Sequence, residues 1–544
     1  MKKSIQSLFA VVFAGSVAAQ AVVAQQSEKC SIQGTVTAAD TGAPVSKAEV
    51  AVFKEGSQEP LVVTYADASG RFGIKDLDAG GYALTAERDG YVPQGRGRGR
   101  GRMALILKPG QEQRDISFRL VATGVVTGRV WGEDSTPQVR VTVQAFTVGY
   151  REGRQRLIIA GQETTNDRGE YRIFGLQPGR YYICAAAISE SHGNIQQRKG
   201  APPEQYVPTF FPNVNDFKQA TAVDLQPGRD LGGLDITLQR SPVFHIRGSI
   251  TGADQALNRA RLNLDAMDPG YDAAYRGRTI LADARGNFDF GGIMPGTYVL
   301  EAMFAREGSG YGDWQRVEVG NADVNGVSFT PTTGLRLIGR LRRSSSNKID
   351  FSKLAVFLRA SMSSMGLIES RSTRVNSDGA LVIESIMHDV YQVGITGLPE
   401  DSYVESVRLG NEEAQHRKIT LESSPPEPLE IVVSLNGGRV DGAVNKDDNK
   451  PDSGATVVLV PESDRRNDGY LFHEVISDPN GNFTIRGIEP GDYKLFAWDD
   501  IEPDAYRDPA FLKPYEHDGK AITIHAKDRK TIELRVIPSR TPVT

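Results

Sequence analysis

The side chains best able to do chemistry in this sequence are seven histidines, two cysteines and a short run of alternating arginines. A zinc peptidase centre would need a His-x-x-Glu pair with a distant third ligand, and none of the histidines begins such a pair. His473-Glu474 is followed by Val-Ile-Ser, so it does not complete His-Glu-x-x-His on a helix either. There is no Gly-x-Ser-x-Gly elbow and no Gly-x-x-x-x-Gly-Lys-Ser/Thr loop to cradle phosphate. Scattered Ser, His and Asp could still converge in space, as triads do in different chain orders, so hydrolysis is ranked last rather than removed. The expectation is a protein that is not an enzyme, with no cofactor, no catalytic residues and no metal. Cys30 and Cys184 lie far apart and are not a disulfide framework. Export would permit a bond between them, but Cys184 in "YYICAAA" reads more simply as a buried strand residue.

Two stretches could bind rather than react. "QGRGRGRGRM", from Gln94 to Met103, sets Arg96, Arg98, Arg100 and Arg102 on a glycine backbone. Guanidinium forks grip anionic glycans, phosphates or headgroups in pairs of hydrogen bonds, and glycine lets them adapt. The plainer reading is a solvated loop between two strands. "YVPTFFPNVNDF", from Tyr206 to Phe217, gathers Tyr206, Phe210 and Phe211 with two prolines. Exposed rings there could stack on the C–H faces of sugars, whereas buried ones would pin the loop to its own domain or plug a joint, which is the favoured reading. Trp131, Trp314 and Trp498 lie in or beside strands and read as core or edge residues. "NKDDNKPD", from Asn445 to Asp452, offers oxygens to calcium but lacks the ligand spacing of an EF-hand, so a polar turn is favoured.

What positions these residues is a repeat. "DASGRFGIKDLDAGGYALTA" from Asp67 recurs as "NDRGEYRIFGLQPGRYYICA" from Asn166, "DARGNFDFGGIMPGTYVLEA" from Asp283 and "DPNGNFTIRGIEPGDYKLFAW" from Asp478. A worn copy, "SDGALVIESIMHDVYQVGI", starts at Ser377. In every copy a turn glycine (Gly70, Gly169, Gly286, Gly379, Gly481) precedes a tyrosine (Tyr82, Tyr181, Tyr298, Tyr391, Tyr493) by twelve residues. Asp bonds its own backbone in such a turn and glycine accepts positive φ, so the stretch is expected to be a hairpin. The tyrosine just after the second turn matches the tyrosine corner of β-sandwiches, whose hydroxyl bonds back to the main chain.

Each repeat opens on an alternating strand with a glycine on one face: Ile32-Gly34-Val36, Val126-Gly128-Val130, Ile246-Gly248-Ile250, Leu337-Gly339-Leu341 and Val440-Gly442-Val444. Period-two alternation means one buried face, and the glycine marks a bulge or a close approach of another segment. Each closes on another alternating strand, as in Ile116-Phe118-Leu120 and Ile532-Leu534-Val536. Several short strands in each stretch of roughly 100 residues, with no long amphipathic helix, predict an all-β chain built as a tandem array of Ig-like β-sandwiches.

At "GTVTAADTGAPVSKAEVAVF", "YADASGRFGIKDLDAGGYALTAERDGY" and "GNFTIRGIEPGDYKLFAW" the chain resembles the carboxypeptidase regulatory-like domain family. The resemblance implies a transthyretin-like, Ig-like sandwich. Such domains are grouped with a carbohydrate-binding-like fold, so it also implies glycan binding as an expectation. It covers nearly all of the mature chain. The fourth repeat departs from the pattern, with "MHDVYQV" where a Pro-Gly turn is expected.

With 544 residues the chain is too long for one core. The expected divisions are a signal peptide at 1–24, then β-sandwiches at 28–122, 123–241, 242–334, 335–435 (degenerate) and 436–544. Lys2 and Lys3, the apolar run Leu8 to Val17 and the small residues before Gln25 make up the export signal. No later stretch reaches the ~20 apolar residues of a spanning helix, so no transmembrane span is expected after signal removal. Ser27-Glu28-Lys29 before Cys30 lacks the residues of a lipoprotein signal. The net charge of −5, from 63 basic and 68 acidic residues, gives no pull toward nucleic acid, and the arginine run lacks interleaved aromatics for base stacking. The expected function is an exported, non-catalytic binding protein in the periplasm, at the cell surface or outside the cell. Its partner is a polysaccharide or other glycan or, alternatively, another envelope protein.

Overall fold

The computed structural model describes residues 29–93, 103–186, 196, 202–251, 260–267, 277–306, 309–330, 334–344, 349–360, 371–478 and 480–538. The expected signal at 1–24 and the arginines from Arg96 to Arg102 lie outside them. By packing, the described chain forms two compact units, one from residues 29–88 with 103–120, the other from 89–93 and from Val121 onward.

The chain is all-β, and each repeat makes a pair of sheets. In the first, Cys30–Ala38 lies between Arg71–Leu77, antiparallel to it, and Glu112–Ala122, parallel to it. The second sheet runs in the order Pro60–Tyr65, Glu49–Lys54, Gly80–Glu87, Met103–Leu107. The opening strands Phe244–Ile250, Leu335–Arg343 and Gly438–Asn445 likewise take one antiparallel and one parallel neighbour, and Gly124–Trp131 takes one antiparallel neighbour and two short parallel ones, Asp230–Leu231 and Ile236–Thr237. The fourth repeat, worn in sequence, keeps this arrangement.

One expectation is corrected. The Asp-x-x-Gly stretch is not a hairpin, because the strands on either side of each turn belong to opposite sheets. Pro60–Tyr65 and Gly80–Glu87 sit in one sheet while Arg71–Leu77, between them in sequence, sits in the other. Arg154–Thr164, Glu170–Leu176 and Gly179–Ala186 alternate in the same way. The turn is an arch that carries the chain across the core and back. Alternation and turn chemistry are the same for strands that pair sideways and strands that stack, which is why sequence alone chose the commoner pairing.

The local chemistry of the arch is as expected. Asp67 Oδ1 accepts from the amides of Ser69 and Arg71, and Asp283 Oδ1 from those of Arg285 and Asn287. Gly286 takes φ 81°, and its carbonyl accepts from the amide of Ile250 on the opening strand. The tyrosine hydroxyl donates to the carbonyl four residues earlier in all five copies: Tyr82 to Asp78, Tyr181 to Gln177, Tyr298 to Met294, Tyr391 to Met387 and Tyr493 to Glu489, at 2.6–2.9 Å. Burial, the largest cause, pushes the Tyr493 hydroxyl up to about 12, which keeps it a donor.

The strand glycine is a close approach. Its partner across the antiparallel pair is the first apolar residue after the arch: Phe72 for Gly34, Tyr171 for Gly128, Phe288 for Gly248, Leu381 for Gly339, Phe483 for Gly442. That side chain reaches over the glycine, and a carbonyl from the segment on the parallel side presses against it. A Cβ on Gly248 would stand 2.0 Å from the Val327 oxygen and 2.4 Å from the Phe288 ring.

The core of each sandwich lies between its sheets. Val126, Val130, Val143, Tyr171, Ile173, Ile183 and Ile236 form that of the second repeat, and Val440, Val457, Leu459, Phe483, Tyr493 and Leu495 that of the fifth.

Within the larger unit, repeats distant in sequence pack together. Arg359 of the fourth repeat pairs with Glu152 of the second at 2.9 Å, and the ring of Tyr150 meets that of Phe511, from the fifth, edge to face at 5.8 Å. Arg417 of the fourth repeat reaches Asp468 and Glu489 of the fifth at 3.1 and 3.0 Å. Trp314 of the third stacks on His388 of the fourth and donates its Nε1 hydrogen to the His388 carbonyl.

Candidate functional site

Every repeat varies at one place in its topology. The strand carrying the tyrosine pairs with a following antiparallel strand, and the connection between the two differs in each copy. It joins Gly80–Glu87 to Met103–Leu107, Gly179–Ala186 to Val223–Leu225, and Gly296–Arg306 to Ser309–Val319. It then joins Asp389–Thr396 to Lys418–Leu421 and Gly491–Trp498 to Lys520–Ile524. The arginine run and the Tyr206–Phe217 segment, singled out separately in the sequence, occupy this same connection in the first and second repeats.

In the second repeat the connection folds back over the outer face of its own sheet. Phe210 is fully buried, its centroid 6.3 Å from Phe146 and 5.8 Å from Phe217, with Cys184 beneath it. Phe211 is partly buried against the main core. Tyr206 is half-buried, and the guanidinium of Arg240 lies 3.9 Å over its ring. These three residues therefore do not gather into one exposed aromatic surface: one ring is core, one packs on core, and one has a face taken by arginine. Burial holds the Cys184 thiol well above its ordinary value, and neither cysteine is in a disulfide.

The fifth repeat covers the same face with different residues. Val458, Val460, Phe496 and Trp498 point outward, and Ile501, Tyr506, Leu512 and Tyr515 from the connection close over them. Trp498 is 1% exposed and stacks on Phe496 at 5.1 Å. In the fourth repeat Gln392 and Gly394 face outward and the cover comes from the next repeat: Gln392 donates to Asp468, and Tyr470 packs edge-on against Phe357. In the third, Val299 and Glu301 are buried on that face, where Asn263 donates to Glu301.

The first repeat is different. On the outer face of its second sheet Leu61 is 50% exposed, Val63 41%, Tyr65 62% and Ile106 76%. The sequence carried a signal for this face that the strand reading passed over: "PLVVTY" and "ALIL" are apolar at both parities, where a strand with one solvated face alternates. The joint between repeats had no such signal. Glu152, Arg359, Arg417, Asp468 and Glu489 share no spacing. There Arg417 and Arg465 both pair with Glu489, and the guanidinium groups of Arg359 and Arg417 each lie 5.3 Å from the Tyr470 ring centroid. The balance at Glu489 is set first by burial, which raises its carboxyl above the ordinary value against both arginines.

The Asn445–Asp452 stretch forms a turn, in which Asp448 accepts from the amide of Lys450 and Asp452 pairs with Lys446 at 3.3 Å. Among the described residues no three His, Cys, Asp or Glu side chains group so as to hold a metal, and no helix is long and apolar enough to cross a membrane.

Residues 31–120 match the model of the carboxypeptidase regulatory-like domain family. No curated protein matches the chain. Among solved structures it is similar to GBS52, the minor pilin of Streptococcus agalactiae, with 15% identity over 40% of this chain and 97% of that one, TM-score 0.22. It is similar to BcpA, the major pilin subunit of Bacillus cereus, with 10% identity over 56% and 99%, TM-score 0.16. The shaft pilin SpaA of Lactobacillus rhamnosus GG gives 8% identity over 40% and 97%, TM-score 0.20. Likeness at this level carries no conclusion about what this chain binds.

Proposed function

Taking residues 31–120 as a carboxypeptidase regulatory-like domain, we propose that the chain is an exported, non-catalytic binding protein of the cell envelope whose partner is another protein. The observation that carries this reading is the fate of its rings. Among the described residues Phe210 and Trp498 are core, Tyr206 lies under Arg240 and Trp314 against His388, while the exposed rings Tyr65 and Phe174 stand singly on the first and second repeats. Around Tyr65 the exposed surface is an apolar sheet face of the first repeat, with Leu61, Val63 and Ile106, a surface suited to side chains of another protein. The N-terminal lysines and apolar run supply the export, and ion pairs tie the second, fourth and fifth repeats together within the larger unit. A glycan is the second reading, favoured by the half-exposed Trp131 beside Glu133 and Asp134 on an exposed turn.

The test uses the mature chain from Gln25 on a glycan array and, in parallel, in affinity capture from solubilised envelopes. The expected result is one protein recovered in stoichiometric amount and no glycan retained. Glycan retention lost on changing Arg96, Arg98, Arg100 and Arg102 to Ser, or on Trp131→Ala, would put the second reading first. Peptide or ester turnover abolished by one substitution would overturn both.

A further inference from the structure

The uncovered sheet face of the first repeat has a shape and a charge pattern that describe its occupant. Across the strands Val63 stands opposite Ala51 and Ala51 opposite Thr85, while Phe53 stands opposite Ala83 and Ile106 opposite Gly81. The two middle strands thus carry Ala51, Phe53, Thr85, Ala83 and Gly81 on this face, with Leu61, Val63 and Tyr65 on one side and Ile106 on the other, and the face is apolar from edge to edge. The equivalent faces show what fills such a surface. In the second and fifth repeats it is a short segment of the chain itself, bringing Phe210 and Phe217, or Ile501, Leu512 and Tyr515. The corresponding connection of the first repeat contains "QGRGRGRGR", which has no apolar side chain to offer.

Four carboxylates surround this face. Glu49 and Glu87 are direct cross-strand partners at one end, and like charges so placed are destabilising unless something else uses them. Glu49 accepts from the Tyr65 hydroxyl at 3.2 Å, which fixes it beside the apolar strip. At the other end the Glu55 side chain lies over Gly81, where a Cβ would come within 2.2 Å of its Oε2, and Glu59 is exposed next to Pro60. Among the described residues no cation pairs with any of the four.

We propose that this face is the docking surface for a protein partner that presents a short apolar segment bracketed by lysine or arginine. The proposal rests on the reading of the chain as a protein-binding molecule. The apolar side chains would sit against Leu61, Val63 and Tyr65 on one side and Ile106 on the other, and the basic flanks would meet Glu49 with Glu87 at one end and Glu55 with Glu59 at the other. The exposed apolar residues supply affinity, and the acidic ends supply direction and on-rate.

The test is photocrosslinking in the producing cell, on the full chain. A benzoylphenylalanine replaces Val63 or Ile106, and Phe174, an exposed ring on the second repeat, serves as the control position. The expected result is one adduct at 63 and 106 and none at 174, whose crosslinked peptide carries apolar residues between Lys or Arg. Glu49→Lys with Glu87→Lys should cut adduct yield about tenfold, the loss of about 1.4 kcal/mol of binding. These substitutions are on the exposed face, so folding is expected to survive, and an unchanged melting temperature checks this.

A crosslinked peptide without basic flanks, an adduct of twice the chain's own mass, or unchanged yield in the double lysine variant would overturn the proposal. An adduct at 174 and none at 63 or 106 would overturn it while leaving the protein-binding reading intact. No adduct at any position, together with glycan retention on the array, would remove both.

Discussion

Replacing the tyrosine of one repeat by phenylalanine keeps the ring and removes a single hydroxyl, so it isolates what the corner hydrogen bond contributes. For Tyr298 the acceptor is the carbonyl of Met294, itself buried, and its loss is expected to cost about 1–3 kcal/mol because no water replaces the donor. Hydrogen exchange in Gly296–Arg306 reads this directly in Tyr298→Phe, and unchanged protection would show that the bond is idle. The strand glycine makes a sharper comparison. Gly248→Ala sets a methyl 2.0 Å from a carbonyl oxygen that belongs to a paired strand and cannot retreat, and about 1–3 kcal/mol or more should be lost. Gly339→Ala meets its nearest carbonyl at 2.9 Å under a smaller leucine, and should lose clearly less protection. Equal effects would mean that the glycine is tolerated for backbone freedom rather than required for clearance. Both residues were legible in sequence because each recurs at fixed register, and a steric requirement of one residue type leaves that trace.

At the scale of the element, the strands were legible and their pairing was not. Alternation gives the buried face of Arg71–Leu77, with Phe72 and Ile74 inward, but it does not say which sheet receives the strand. The aromatic connection of the second repeat was legible as a departure from what a sandwich needs. That Phe210 turns inward was not, since the face it covers is assembled from Phe146, Cys184 and Leu157, which lie on three strands. This gives a prediction with a chemical readout. Phe210→Ala should cost about 3–5 kcal/mol of local stability through the cavity it leaves. It should also raise the rate at which Cys184 reacts with N-ethylmaleimide by at least about tenfold, because a thiol held protonated by burial regains access to water. Mass spectrometry of the labelled peptides separates Cys184 from Cys30. A Cys184 that stays inert in Phe210→Ala would mean that Tyr182 and Phe217 close the face without it.

For the whole molecule, the joint that ties the second, fourth and fifth repeats sets how acid acts on the assembly. It is invisible in sequence because its members come from strands hundreds of residues apart, as with Glu152 and Arg359. His473 of the fifth repeat lies at this joint, where burial first and the charge of Arg417 second depress its protonation from 6.5 to about 4. The sign follows from linkage. Unfolded chain takes up the proton below about 6.5 and folded chain does not, so the stability from keeping the ring neutral is present above that pH. It drains away as the pH falls toward 4. At 1.36 kcal/mol per unit the full shift corresponds to about 3 kcal/mol, and the partly exposed ring should realise less of it. The carboxyl of Glu489, raised above its ordinary value by burial, works in the opposite direction, since the folded chain takes up its proton at higher pH than the unfolded chain does. The two are separable by substitution. In His473→Gln the drop in melting temperature between pH 7 and pH 5 should shrink, while in Glu489→Gln it should be at least as large as in the parent chain, because the offsetting proton uptake by the folded joint is gone. If His473→Gln leaves the drop unchanged, the imidazole already carries its proton in the folded joint, and the acid sensitivity belongs to the surrounding carboxylates.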